Sequence, residues 1–326
     1  MTTETQIIER LRRIATAPEA RGLLDDVALL GDLVVTHDSI AEGVHFLPHD
    51  PPASVGWKLV AVNLSDLAAK GAAPAGALLS LTISGPGEWE MAFLGGVEAA
   101  CESYGLPLLG GDTVALPADA PRVLGMTAIG RAGGRVPDRA GGQAGDALWL
   151  VGTVGDAAAG LALLTADRNA AGPLVDIYRR PVPQLGAGHA LAPHADAMMD
   201  VSDGLLLDAR RMAEASRCAI EIELDTLPLS RAFIAERRQD LAARLFAATG
   251  GDDYAILAAL PPELDPATLS LPSKTRIARI GSLAAGGVSL SLTFAGQPVK
   301  LPERLGFEHQ SAKDRGLSAP PVGDRP

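Results

Sequence analysis

The sequence predicts an α/β protein of two domains, each with helices layered against strands (α+β layers). Three observations lead there. At roughly 150 residues per domain, 326 residues make about two domains, and 47% hydrophobic with 21% charged residues is the composition of a globular chain able to bury a large core. Short apolar runs that read as strands alternate with stretches whose apolar residues recur at helical spacing. Residues 131–146 hold five glycines, at 133, 134, 141, 142 and 145. The boundary is therefore placed there, with a first domain over 1–137 and a second over 138–309. Residues 310–326 are polar, carry Gly316, Pro320, Pro321 and Pro326, and read as a disordered tail.

In order along the chain, residues 6–15 put Ile7, Ile8, Leu11 and Ile14 at helical spacing. Residues 27–30 and 33–36 read as strands about a turn at Gly31-Asp32. Three prolines keep 46–52 irregular. Ser54 is the expected N-cap of a helix with Val55, Leu59 and Val62 on one face, ended by Gly71. Strands are expected over 77–83, 106–109 (stopped by Gly110-Gly111) and 123–129, with a helix over 88–104. In the second half, strands are expected over 148–151, 197–201, 220–224 (an edge strand), 254–259 and 288–294. Helices are expected over 157–164 and from a Ser202 N-cap to about 216.

Composition and missing motifs exclude several functions. A net charge of −11 disfavours bulk nucleic-acid binding. Two cysteines, Cys101 and Cys218, make neither a disulfide scaffold nor a zinc ribbon and fit a reducing compartment. The best apolar stretch, 147–166, is broken by Asp156, so no membrane span is expected, and with no apolar signal region at the start the expected location is the cytoplasm. No Gly-Lys-Ser/Thr makes a P-loop, no Gly-x-Ser-x-Gly makes a nucleophile elbow, and prolines around His45 and His49 forbid a helical zinc pair.

What the chain has instead is short acidic motifs at element ends: Asp25-Asp26, Thr36-His37-Asp38, Asn63-Leu64-Ser65-Asp66, Gly110-Gly111-Asp112-Thr113, Asp200-Val201-Ser202-Asp203-Gly204 and Gly250-Gly251-Asp252-Asp253-Tyr254. Aspartate is a hard oxygen ligand, and a neighbouring glycine lets backbone approach a bound group. Two carboxylates 4 Å apart repel by roughly 4 kcal/mol at an effective dielectric near 20. A converging set therefore needs cations, and oxygen-only ligands point to Mg2+ rather than zinc. Each motif alone has a plainer reading: a turn at Asp25-Asp26, a hairpin at Gly110-Gly111-Asp112, an i, i+4 pair between Asp66 and Lys70, a helix cap at Ser202-Asp203. Their order along the chain is what carries information.

In that order, the run from Asp38 through Glu42-Gly43-Val44-His45 to Lys58–Gly71 (KLVAVNLSDLAAKG), followed by the three later motifs, resembles the thiamine-monophosphate kinase family of the aminoimidazole-ribonucleotide-synthetase-like superfamily. The resemblance spans roughly 6–309. It implies the two-domain fold of that superfamily, a homodimer paired through the N-terminal sheet, and a cleft that uses ATP without a P-loop. It implies several Mg2+ ions held by Asp26, Thr36, Asp38, Asp66, Asp112, Asp200 and Asp203. It implies ATP contacts from Gly111, Asp112, Arg139 and Ser202, and thiamine monophosphate contacts from His45 and Asp252. The role of His37 stays open, and no counterpart of the family's C-terminal aromatic is matched within 302–307. The implied reaction is phosphorylation of thiamine monophosphate by ATP to thiamine diphosphate, with no general base. The alternatives are another ATP-dependent synthetase of the superfamily or a degenerate nucleotide-binding relative. Against the first, no cysteine precedes Cys101 and the C-terminal residue is Pro326, not cysteine.

Overall fold

The computed structural model describes residues 4–117 and 120–308. The first half runs α1 (Glu4–Arg12), β1 (Ala28–Leu30), β2 (Leu33–Ala41), α2 (Pro52–Ala69), β3 (Ala72–Ile83), α3 (Glu88–Tyr104), β4 (Leu108–Ala115) and β5 (Val123–Ala132). The second runs β6 (Ala147–Val151), α4 (Asp156–Ala166), α5 (Pro173–Arg179), α6 (Leu185–Leu191), β7 (Ala197–Val201), α7 (Leu205–Ser216), β8 (Ala219–Glu223), α8 (Arg231–Arg237), α9 (Leu241–Thr249), β9 (Ala255–Leu260), β10 (Ile277–Ala284), β11 (Ser289–Phe294) and β12 (Gln297–Val299). These make two mixed sheets, ordered β1-β2-β5-β3-β4 and β12-β11-β8-β10-β6-β9-β7.

Helix α2 organises the molecule. It is apolar nearly all round, the pattern of a helix enclosed on every side, and is buried at every residue from Lys58 to Ala69. One side packs on β2, β5 and β3 of the first sheet; another meets α6, β7 and β9 of the second half. Strand β7 ends its sheet yet is buried throughout, because α2 covers that edge. Packing this tight requires glycine. A Cβ on Gly56 would lie 2.1 Å from the Phe93 carbonyl oxygen, one on Gly96 1.9 Å from that of Ala53, and one on Gly188 1.9 Å from that of Ala68. Gly71, at φ +64°, turns the chain out of α2 after its last residue, as the sequence predicts.

Four expectations are corrected. Helix α2 begins at Pro52 rather than after a Ser54 cap, since proline's φ already suits the first turn. Strand β4 runs through Gly110-Gly111 instead of stopping there, because parallel pairing with β3 carries it on to Ala115. Strand β8 is interior, with β10 on one side and β11 on the other, rather than an edge. Helix α7 starts at Leu205, and Ser202 does not cap it. The Ser202 and Asp203 N–H groups instead donate to Asp208 Oδ2, at 3.2 and 3.1 Å. The expected tail, 310–326, lies outside the described residues.

Candidate active site

Three carboxylates converge where α2 meets both sheets. Asp26 stands in the turn before β1, Asp66 on α2 and Asp200 in β7, and each offers an oxygen within 4.8 Å of the others. Strand β2 adds Thr36, whose hydroxyl donates to Asp66 and, at 3.2 Å, to the Asp26 carbonyl. It also adds Asp38, whose backbone N–H is accepted by Asn63 Oδ1 at 3.0 Å. Alternation places Val34, Thr36, Asp38 and Ile40 on the face of β2 that α2 covers. Ser65, one residue before Asp66, donates to Asp200 Oδ2 at 2.7 Å. The i, i+3 pair Asn63/Asp66 thus braces β2, while Ser65 braces the second half.

The charges are unequally compensated, and this decides the chemistry. Burial raises the Asp26 pKa, but the adjacent Arg139 and Lys70 outweigh it and hold the group below the usual range. Lys70, itself buried, reaches Asp25 at 2.6 Å, Asp26 at 3.3 Å and the Met198 carbonyl at 2.9 Å. The plain Asp66–Lys70 pair is therefore not formed. Among the described residues Asp66 and Asp200 have only hydroxyl partners, and burial followed by neighbouring carboxylates pushes both well up. Burial, Asp26 and Asp203 push Asp38 up to about 6. At an effective dielectric near 20, each close pair costs roughly 3–4 kcal/mol of repulsion. An all-oxygen, under-compensated cluster of this kind fits a hard divalent cation.

Beside the cluster lies a cavity of about 380 Å³ between the two halves. Asp38, Ser39, His45, Ser202, Asp203 and Asp252 supply its polar wall. Its apolar wall comes from Ile40, Val44, Val62, from Ala157, Ala158 and Leu161 of α4, and from Tyr254 and Phe307. Phe307 lines the cavity, although the sequence offered no match for the family's C-terminal aromatic within 302–307. Its backbone N–H bonds the Asp203 carbonyl at 2.8 Å, which seats a residue remote in sequence at the cavity wall. Arg211 bridges Asp203 (2.6 Å) and Asp208 (2.8 Å), and burial raises Asp208 to about 7 despite it.

Of the sequence-derived residues, Asp26, Thr36, Asp38, Asp66, Asp200 and Asp203 gather here, with Arg139 on Asp26 and Ser202, His45 and Asp252 on the cavity. Gly111 and Asp112 are not brought to the cluster within one chain. They lie on β4, an exposed edge, in register with Leu79 and Ser80 of β3, which face Met126 and Gly125 of β5 and then Asp38 and Ser39 of β2. Three strand spacings separate that edge from β2, about 14 Å. Asp112 shares its row with the exposed Ser39 and Ser80, on the face opposite α2. The motif reading missed Lys58, Ser65, Asp208 and Tyr254 as parts of the site. Lys58 and Ser65 carried a signal, a polar residue inside an apolar helix, and Tyr254 one as the end of the Gly250–Tyr254 motif; Asp208 carried none.

Residues 24–132 match the AIR synthase related protein N-terminal domain and residues 143–292 its C-terminal domain, so fold and site define a member of that class. The thiamine-monophosphate kinase of Caulobacter vibrioides is 36% identical over 325 residues, covering 94% of this chain and 91% of that one. The structure of AaThiL complexed with AMPPCP and TMP superposes with a TM-score of 0.81 at 30% identity, over 94% of this chain and 97% of that one. The thiamine-monophosphate kinase structure from Stenotrophomonas maltophilia does so at 0.73 and 34%, over 90% and 96%. The chain belongs to the thiamine-monophosphate kinase family and is a kinase.

Proposed function

We propose that the chain transfers the γ-phosphoryl group of ATP to the phosphate of thiamine monophosphate, giving thiamine diphosphate and ADP, in the cytoplasm. The observation that carries this is the convergence of Asp26, Asp66 and Asp200 within 4.8 Å beside a cavity with one acidic and one apolar wall. Asp26, Asp66 and Asp200, with Asp38, Thr36 and Asp203 around them, are the groups to hold Mg2+. Bound there, Mg2+ supplies neutralisation and orientation of the transferring phosphates. Arg139 and Ser202 stand ready for the nucleotide. The apolar wall and Phe307 suit a heteroaromatic ring, and Asp252 suits its positive charge.

The acceptor oxygen belongs to a phosphate monoester, whose second pKa near 6 leaves it ionised at pH 7. No general base is needed, and the residues have only to bind, orient and exclude water. The second copy of the proposed homodimer would sit on the N-terminal sheet, where β4 is exposed throughout and Leu78, Leu108, Leu109, Val114 and Val123 face outward. Gly111 and Asp112 then act from that face. The test is direct: purified protein with ATP, MgCl2 and thiamine monophosphate should form ADP and thiamine diphosphate in equal amounts. ADP without thiamine diphosphate, or neither product, counts against the reading.

A further inference from the structure

We propose that Lys58 is a positioning residue of the acceptor subsite, its ammonium joining Asp252, the His45 turn and Tyr178 into one wall. The inference rests on the proposed reaction and deepens it. Lys58 is 2% exposed, in the second turn of α2, and its cationic end is enclosed by three segments distant in sequence. Nζ donates to Asp252 Oδ2 at 2.7 Å and to the His45 carbonyl at 2.9 Å, and lies 4.2 Å from the centre of the Tyr178 ring. An ammonium has three donors and no acceptor, so two hydrogen bonds and one aromatic face account for it.

Two of these contacts, Asp252 and His45, line the cavity itself, and Tyr178 closes over the ammonium from behind them. The other oxygen of Asp252, Oδ1, accepts the Tyr254 hydroxyl at 2.9 Å, so both carboxylate oxygens are held and the group has one orientation. Asp252 (φ +68°) and Tyr254 (φ +50°) adopt left-handed backbone that non-glycine residues seldom use. Such strain persists only where surrounding contacts over-determine it. Here the Asp252 and Tyr254 N–H groups bond the Ser202 and Val201 carbonyls at 2.7 and 2.8 Å, and Lys58 holds the side chain from the opposite side. The His45 ring accepts the Ala41 N–H on Nδ1 at 3.0 Å, which in the neutral ring leaves the proton on Nε2. Tyr178 also bonds Asp50, at 3.3 Å, which Arg179 pairs at 2.9 Å, so the wall is anchored on α5. Lys58 touches none of the three converging carboxylates, which separates its effect from that of the nucleotide and metal groups.

The experiment compares wild type with Lys58→Met, Lys58→Arg, Asp252→Asn and the double variant Lys58→Met/Asp252→Asn. It measures KM for thiamine monophosphate, KM for ATP, kcat, and binding of thiamine monophosphate by calorimetry. Wild-type turnover is established first, so an inactive wild type defeats the reaction and not this role. With wild type active, Lys58→Met should raise the acceptor KM tenfold or more and leave the ATP KM within twofold, and Lys58→Arg should recover part of that loss. The double variant, which leaves no unpaired buried charge and so guards against failure to fold, should lose no more acceptor affinity than Asp252→Asn alone. Equal changes in both KM values, a loss confined to melting temperature, or additive losses in the double variant would overturn the proposal.

Discussion

Asp66 tests the cluster most sharply, because its partners are a hydroxyl and other carboxylates rather than a cation. Asp66→Asn keeps size and helix position but removes a charge and one of the carboxylates proposed to hold Mg2+. Without metal the protein should be as stable as wild type or slightly more so, since like charges are relieved. Turnover should fall more than a hundredfold, the equivalent of roughly 3 kcal/mol of lost electrostatic stabilisation. Asp32→Asn is the control: Asp32 pairs with Arg131 on the surface, both 61% exposed, and such pairs contribute about 1 kcal/mol or less. Product formation and melting temperature on both variants separate the readings. A fully active Asp66→Asn protein would remove the centre of the proposed metal site.

The two adjacent glycines of α3 ask what a single methyl does to an element. Gly95 is exposed with nothing within 4 Å of an added Cβ, whereas a Cβ on Gly96 would lie 1.9 Å from the Ala53 carbonyl oxygen of α2. Helix propensity alone predicts that both Gly→Ala changes stabilise by up to about 1 kcal/mol. Packing reverses the sign at Gly96, where the clash is with backbone and no side chain can swing away. Gly95→Ala should raise the denaturation midpoint, and Gly96→Ala should lower stability by about 1–3 kcal/mol or more. Chemical denaturation of the pair measures both. Loss at Gly96 should extend to activity, because α2 carries Lys58, Asn63, Ser65 and Asp66.

For the whole molecule, the carboxylate cluster links stability to pH and metal. Asp38, raised to about 6, and Asp66 and Asp200, both raised well above the usual carboxylate range, bind protons more tightly folded than unfolded. Without metal their contribution is fully present below about pH 4 and is lost as pH rises through each raised pKa, about 6 for Asp38. Asp26, held low, acts oppositely, and its contribution is lost as pH falls. Mg2+ held as proposed would displace the extra protons, so it should raise the melting temperature by several degrees at pH 8 and much less at pH 5.5. Thermal melts with MgCl2 or EDTA at the two values read this, and equal increments would count against the site. The outward apolar residues of the N-terminal sheet lead to a second expectation. Sedimentation at micromolar protein should give twice the 33.5 kDa chain mass, and a single-chain mass would overturn the dimer.

The sequence by itself determined the α/β class, most of the strands though not the interior β10, the helices other than α5, α6, α8 and α9, and six of the motif residues that gather at the cluster. Those features are local: periodicity, glycine placement and acidic motifs survive without knowledge of what folds against them. Tertiary structure decided the rest. Asp66 and Lys70, four apart on one helix, do not pair, because folding brings Asp25 and Asp26 to Lys70 instead. Ser202 does not cap α7, because the helix starts at Leu205 behind Gly204, and Asp208 folds back to accept the Ser202 and Asp203 N–H groups. Phe307 reaches the cleft from far along the chain through one backbone hydrogen bond to Asp203. Gly111 and Asp112 look like members of the cluster in sequence, yet strand order puts both at the opposite edge of the sheet, and the pleat turns Asp112 to the opposite face. A motif specifies which atoms a residue offers. Which atoms meet depends on sheet order and on the enclosure of α2 by both halves, and these are set by contacts between residues a hundred or more positions apart.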